Sequence, residues 1–228
     1  MKKSRRRYLV YFIMIMIVLA GVALIYRVQL LHFGRSVLAA HYYNKSKELI
    51  TEEKYLEAEQ ALKAADIIIP GHPKTNKALG DLYFYHTGEY DLARDKYSQY
   101  YIDTVLQGPP MELCMSEQYI GRYSEAEECM LKYIYIHPRD YKGYFYLGQL
   151  KYLSGDTVEA LSLTEKSHKM FPTCDSVAYL IELNLIVNNI DKARSHCLAF
   201  NECPDDYLKT MPLEKDVYEL CGRKPEKP

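Results

Sequence analysis

The fold is decided by one stretch of the chain, Tyr144–Pro172, which reads YFYLGQLKYLSGDTVEALSLTEKSHKMFP. Its first third is apolar and contains Gly148, where the absent side chain lets another helix come close. The tripeptide Ser154–Asp156 then interrupts the apolar pattern, as a short turn between two helices does. A second helical segment carries Ala160, and Pro172 ends the unit because proline cannot donate a backbone hydrogen bond. The stretch therefore predicts one helix–turn–helix hairpin.

The landmarks of this hairpin recur along most of the chain at intervals of 33 to 35 residues. The residues that correspond to Ala160 in the other copies are Ala58, Ala93, Ala126 and Ala193. Five positions before each alanine stands a turn former or a polar residue, namely Glu53, Gly88, Gly121, Gly155 and Asn188. In the second copy Gly80 lies one residue early relative to Ala93, which indicates a one-residue insertion. Five copies in phase predict five hairpins of one kind.

A period of about 34 residues with Leu-Gly, then Ala, then Pro resembles the tetratricopeptide repeat, or TPR. The resemblance runs from about Ala39 to Asp205. The sequence departs from the family pattern in three places: Tyr144 stands where a Trp is usual, and Ser46 and Ile181 replace the glycine of the first helix. The resemblance implies an all-α fold, a TPR-like α-solenoid of about five helix–turn–helix repeats. The alternative is a set of unrelated helical hairpins.

The repeat domain is predicted to occupy residues 39–205, with copies at 39–72, 73–106, 107–138, 139–172 and 174–205. Residues 206–228 follow as a C-terminal capping helix, interrupted by Pro212, and a tail. A cap is expected because the last repeat of a stack needs a polar outer face.

The N-terminal region has the pattern of a membrane anchor. Residues 1–7 form a basic head, and Tyr8–Tyr26 follow without a single charge. As a helix this run would span about 28 Å, which matches the hydrocarbon core of a bilayer. Bases are concentrated before the run, so the positive-inside rule predicts a single-pass protein with a cytoplasmic N-terminus and repeats on the periplasmic or extracellular side. Residues 27–38 are expected to be a connector that breaks at Gly34.

Two alternatives to the anchor are a cleaved signal peptide and the buried helix of a soluble protein. A signal peptide usually has a shorter apolar region, of about 7–15 residues. The basic head and the length of the apolar run favour an uncleaved anchor over both.

Composition and motifs restrict the class of function. Net charge is −1, but residues 1–28 hold six bases and no acid, which leaves a mildly acidic body. Such a body disfavours nucleic acid as a partner, since nucleic acid needs a basic surface. The sequence contains no phosphate-binding loop, no dinucleotide fingerprint, no nucleophile elbow and no zinc motif. We therefore predict a protein that is not an enzyme and has neither cofactor nor metal.

Six cysteines leave two interpretations open. They are Cys114, Cys129, Cys174, Cys197, Cys203 and Cys221. In an oxidising compartment they could form disulfides whose pairing the spacing does not determine. The alternative is that they are buried free thiols.

In TPR proteins the first helices of the repeats line a groove that holds a peptide or a partner helix. Carried over copy by copy, the groove positions are Tyr43, Lys47, Lys77, Asp81, Tyr85, Met115, Tyr119, Phe145, Gln149 and Tyr152. Their rings suit a largely apolar partner segment, although packing between helices is the alternative role for these side chains. The sequence thus predicts a membrane-anchored protein–protein interaction scaffold in an envelope or secretion-related complex. The alternatives are a self-associating structural protein, or a secreted TPR protein after cleavage of the N-terminal segment.

Overall fold

The computed structural model describes residues 2–103, 107–208 and 215–223. Within these ranges all regular structure is helical and no strand occurs, so the predicted all-α class is confirmed. The chain divides into two compact units, Met1–Thr87 and Gly88–Pro228. The side chains of the basic head, the break at Pro212 and the tail from residue 224 onward lie outside the described part.

The first unit contains three helices. These are α1 (Lys2–Thr51), α2 (Tyr55–Ile68) and α3 (Pro73–Leu82), the last of which continues as the π-helical turn Tyr83–Thr87. The C-terminal part of α1 packs on α2, and α2 packs on α3. Ala58, Leu62 and Ala65 form the buried face of α2, at the spacings of three and four that place residues on one side of a helix.

The break expected at Gly34 is wrong, because α1 runs through this residue without interruption. A single glycine weakens a helix by about 1 kcal/mol relative to alanine, and a helix of this length tolerates that. The apolar part of α1 is long enough to cross a membrane, and it is not buried inside the protein as the core helix of a soluble protein would be. By length and composition alone, a signal sequence would look the same.

The one-residue insertion predicted in the second copy coincides with the π-helical turn. A π turn contains one residue more than an α turn, so it takes up the extra position between Gly80 and the next helix. The turn also brings buried aromatic side chains into unit 1. Tyr83 is one of them, and its hydroxyl donates a hydrogen bond of 2.7 Å to Glu59.

The second unit consists of helices that pack on their neighbours in chain order. The hairpin helices are α4 (Tyr90–Asp103), α5 (Met111–Tyr119), α6 (Tyr123–Ile136), α7 (Tyr141–Leu153), α8 (Thr157–Met170) and α9 (Cys174–Ile186). Shorter helices follow as α10 (Ile190–Ser195), α11 (Cys197–Asn201), α12 (Asp205–Leu208) and α13 (Lys215–Leu220). The second helix of the fifth predicted copy is therefore divided between α10 and α11.

The predicted phase of the repeats is confirmed by burial. All five reference alanines are completely inaccessible to solvent, namely Ala58, Ala93, Ala126, Ala160 and Ala193. The residue on α7 that faces Ala160 of α8 is Gly148, and this position must be small as well. A Cβ atom there would lie 2.8 Å from Thr164 Oγ1 and 3.2 Å from the carbonyl oxygen of Ala160. Two helix backbones thus meet at this point.

The turn inside each hairpin has a left-handed residue at the predicted position. Positive φ angles occur at Glu53, Gly88, Gly121, Gly155 and Asn188. After α7, the Gly155 N–H donates to the carbonyl of Tyr152 and the Asp156 N–H donates to that of Lys151. This is the Schellman arrangement, which satisfies the last carbonyls of a helix. Only the first and fifth copies place a residue other than glycine there.

Replacing Glu53 by glycine is expected to stabilise unit 1 by about 0.5–1 kcal/mol, since a left-handed backbone strains an L-residue and hardly strains glycine. Thermal unfolding of the full chain measures the effect. Glu52→Gly is the matched control, because Glu52 has no positive φ and pairs with Lys54 at 2.8 Å. That control should destabilise the chain. If both variants lose the same amount of stability, the argument from backbone strain at Glu53 is contradicted.

All six cysteines form disulfides in unit 2. The pairs are Cys114–Cys129, Cys174–Cys203 and Cys197–Cys221. The first bridge joins the two helices of one hairpin. The other two tie the short C-terminal helices to α9 and to each other.

The C-terminal segment covers the outer face of α9. Leu208 and Val217 are buried in one cluster with Ile181 and Phe200. The guanidinium of Arg223 donates to the carbonyl oxygen of Phe200 at 2.9 Å. This packing occupies the place where a further hairpin would stack.

Candidate functional site

A cavity of about 370 Å³ lies between three helices of unit 2. Its walls come from α5, α7 and α9, which are the first helices of the third, fourth and fifth predicted copies. Four predicted groove residues line it together, namely Tyr119, Phe145, Gln149 and Tyr152. That size falls within the range of about 300–1,000 Å³ typical of ligand sites.

Helical spacing explains how α7 supplies one wall. Phe145, Gln149 and Tyr152 are separated by four and three residues, so they project from one face of the helix. Leu147 projects from the opposite face and Gly148 from the side next to the cavity-lining face, and both are buried against the neighbouring helices. The close helix contact at Gly148 therefore holds the wall in position.

Helix α9 supplies the facing wall with the same periodicity. Asp175, Ala178, Tyr179 and Glu182 line the cavity at spacings of three, one and three residues. Ala178 is almost completely buried and belongs to the hydrophobic core that holds α9 in place. Tyr179 is half-buried between the two walls.

Aromatic rings form a partial box in this cavity. The ring centroid of Tyr179 lies 5.8 Å from that of Phe145, with an interplanar angle of 70°. It lies 6.0 Å from that of Tyr152, with an angle of 90°. Tyr119 at the rim is 53% exposed and stacks on Tyr90 at 4.5 Å. The rings offer both faces and edges to a ligand.

The charges on the walls are negative. Asp175 and Glu182 contribute carboxylates, and no Lys, Arg or His lines the cavity among the described residues. Tyr207 of α12 fixes Asp175 by donating a hydrogen bond of 2.6 Å to it. Burial raises the pKa of Tyr179, and the charge of Glu182 raises it further, so this phenol stays neutral at physiological pH.

The remaining predicted groove residues do not line this cavity. Met115 lies on α5 and is half-buried, but it forms no part of the walls. In unit 1, Tyr43 and Lys47 line a second cavity. Lys77 and Asp81 form an ion pair of 2.8 Å along α3.

Tyr85 lies in the π-helical turn of unit 1, where it is exposed, and its ring contacts Phe84 edge to face. A single groove that runs through all five copies therefore stays a prediction.

Sequence reasoning missed the α9 wall, because the groove positions were carried over only to the first four copies. The residues of the fifth copy that correspond to Phe145 and Gln149 are Ala178 and Glu182, and both line the cavity. The same projection would have found them. It would not have found Tyr179, which lies one position off this register.

Comparison with known proteins shows the fold. No protein-family model matches the sequence, and no curated protein matches it either. Solved structures do match. MamA from residue 41 to its end, from Desulfovibrio magneticus RS-1, has a TM-score of 0.66 and 17% identity over 72% of this chain and 94% of that chain. YrrB, a TPR protein with an unusual peptide-binding site, has a TM-score of 0.58 and 17% identity over 73% of this chain and 87% of that chain.

A thermophilic TPR protein from Thermus thermophilus has a TM-score of 0.54 and 16% identity over 81% of this chain and 97% of that chain. Together with the buried alanines and the left-handed turns, these similarities decide the architecture. The chain has the tetratricopeptide-repeat fold. Within the TPR fold of unit 2, the cavity lies on the side formed by the first helices.

Proposed function

We propose that this protein is a membrane-anchored interaction scaffold whose unit 2 cavity binds a segment of a partner protein. The observation that carries the proposal is the cavity itself, in which three successive first helices contribute aromatic rings to one concave site. Tyr is one of the residue types that are enriched among the few side chains that dominate the free energy of protein–protein binding. No catalytic step is part of the proposal.

The chemistry of the walls favours a partner segment that carries a basic side chain. A Lys or Arg head group is attracted to the faces of aromatic rings, at about 0.5–2 kcal/mol for each favourable contact. The carboxylates of Asp175 and Glu182 add attraction of the same sign. The aliphatic stem of such a side chain would contact the ring of Phe145.

The membrane anchor and its orientation are further parts of the proposal. The apolar surface of α1 that is exposed from Met16 onward supports an anchor, which the sequence pattern assigns to Tyr8–Tyr26. Three disulfides support placement of the repeats in an oxidising compartment, since thiols are kept reduced in the cytosol. The excess of bases before the apolar run favours the same orientation, with the N-terminus in the cytoplasm. An envelope or secretion-related complex is then the proposed setting.

The double variant Tyr119→Ala/Tyr152→Ala is expected to weaken partner binding by about a hundredfold, because it removes one ring at the rim of the cavity and one ring from its wall. The experiment isolates the full-length tagged protein from intact membranes. Quantitative mass spectrometry then compares the proteins that are retained with the variant and with the unchanged chain.

The control variant is Tyr123→Ala/Tyr135→Ala on α6, where both rings are exposed and neither lines the cavity. Its partners should be recovered in full. If the cavity variant recovers as much partner protein as this control does, the proposed site is refuted. If the protein that is lost from the cavity variant is a second copy of this chain, the result favours self-association instead. Light scattering of the detergent-solubilised protein measures this.

A further inference from the structure

Unit 1 contains a larger cavity whose charges are opposite to those of unit 2. It has a volume of about 710 Å³ and lies between the C-terminal part of α1, the end of α2 and the start of α3. Arg35, Lys47 and Lys74 line it, together with the imidazoles of His32 and His72. Among the described residues no Asp or Glu lines it, so the cavity has a positive potential and suits an anion.

Two of the cationic groups are held in place by neighbours. The Arg35 Nε atom donates a hydrogen bond of 3.0 Å to the carbonyl oxygen of Ile68 at the end of α2. The ammonium of Lys47 lies 4.8 Å from the ring centroid of Tyr43, within the range of a cation–π interaction. Both charges are therefore positioned before any ligand arrives.

The beginning of α3 adds a third source of positive potential. His72 is its N-cap residue and makes no side-chain capping bond, and Pro73 follows as the first helical residue. A helix N-terminus carries a partial positive charge, although here Pro73 has no N–H and the N–H groups of Thr75 and Asn76 already donate to the carbonyl oxygen of His72. His72, Lys74 and Thr75 all line the cavity, so this helix end opens into it.

The apolar part of the walls distinguishes this cavity from a site for a small inorganic ion. Ala39, Ile68, Ile69 and Pro70 contribute apolar surface beside the charged groups. A ligand that fills the cavity therefore combines an anionic group with hydrocarbon. An anionic phospholipid has this combination of properties.

The position of the cavity along α1 fits such a ligand. His32 and Arg35 lie six and nine residues beyond Tyr26, which is about 9 and 14 Å along a helix axis. Leu30, Leu31 and Phe33 are exposed at the same level. Headgroups and interface add about 5–8 Å on each side of the hydrocarbon core, so the side chains of His32 and Arg35 at the lower rim come within reach of the headgroup layer of a membrane that α1 crosses. Lys47, at about 31 Å beyond Tyr26 along the same axis, lies well outside that layer.

We propose that the lower rim of the unit 1 cavity binds the phosphate of an anionic phospholipid headgroup, with Arg35 as its charged contact and with Lys47 and Lys74 adding positive potential from further along the cavity. The proposal rests on the membrane anchoring proposed above. Binding there would fix unit 1 against the bilayer surface next to its own anchor.

Native mass spectrometry of the full chain in detergent tests the headgroup specificity. The probes are dihexanoyl phosphatidylglycerol, dihexanoyl phosphatidylcholine and inorganic phosphate. We expect phosphatidylglycerol to bind roughly tenfold more tightly than the other two, and Lys47→Gln/Lys74→Gln to lower this preference to roughly threefold or less by removing positive potential. The control Lys54→Gln/Lys63→Gln removes two charges of unit 1 that pair with Glu52 and Glu59, and should leave the preference intact.

Three results would overturn the proposal. They are equal affinity for both lipids, an affinity for inorganic phosphate equal to that for phosphatidylglycerol, and equal losses in the two double variants. Flotation of the full chain with phosphatidylcholine vesicles tests the anchor separately. If the chain floats with the vesicles but shows no preference between the headgroups, only this inference is refuted. If the chain prefers phosphatidylglycerol but does not float, only the anchor is refuted.

Discussion

Loss of the two C-terminal disulfides is expected to lower the free energy of unfolding of unit 2 by about 3–4 kcal/mol for each bridge. The bridges Cys174–Cys203 and Cys197–Cys221 close loops of 29 and 24 residues. A cross-link over a loop of this length raises the free energy of the unfolded chain by about that amount, because it restricts the conformations that the unfolded chain can adopt. The effect should be large because α10 to α13 contain only four to six residues each and are too short to be stable alone.

The measurement is circular dichroism on heating, with the variants Cys174→Ala/Cys203→Ala and Cys197→Ala/Cys221→Ala compared with the unchanged chain. Cys114→Ala/Cys129→Ala serves as the comparison. Its bridge closes a loop of only 15 residues between two helices that already pack together. We expect a smaller loss there. An unchanged melting temperature in the two C-terminal variants would contradict the role assigned to these bridges.

Replacing Gly148 by alanine is expected to destabilise unit 2 by about 1–3 kcal/mol, the usual penalty for overpacking a core. The added methyl group would lie 2.8 Å from Thr164 Oγ1, and that hydroxyl is already bonded to the carbonyl oxygen of Ala160 at 2.8 Å. Helix α7 must therefore move away from α8. Because α7 carries Phe145 and Tyr152, partner binding should weaken together with stability.

Gly34→Ala is the matched control for this prediction. Gly34 is also helical, and nothing lies within 4 Å of the position of its missing Cβ. Alanine is favoured over glycine in a helix by about 1 kcal/mol, so this variant should not lose stability. Urea unfolding followed by circular dichroism compares the two. A Gly148→Ala protein as stable as the unchanged chain would show that the two helices separate without penalty.

Several details of the fold could be predicted because they depend on local spacing. A small residue every 33 to 35 positions indicates where two helices must approach, and each of these alanines is buried. The turn positions follow from the same count, and they take positive φ angles even where Glu53 and Asn188 replace glycine. The extra residue before Ala93 likewise predicted an irregularity, which the chain accommodates as a π turn.

Other details could not be predicted for equally physical reasons. Gly34 suggested a break, but a glycine inside a long helix lowers stability without ending it. The cysteine pairs join residues 15, 24 and 29 positions apart, and their pairing depends on which helix ends meet. Tyr179 lies off the periodic register and became part of the site only because α9 faces α7 across the cavity.

The sequence by itself determined the helical class, the positions of the buried alanines and left-handed turns, and the apolar character of α1. All of these follow from the order and spacing of side chains along one or two helices. Only the tertiary structure decided which rings and carboxylates share the cavity of unit 2, which bases share the cavity of unit 1, and which cysteines pair. Those groups come from different helices, and their distances are set by packing rather than by separation along the chain.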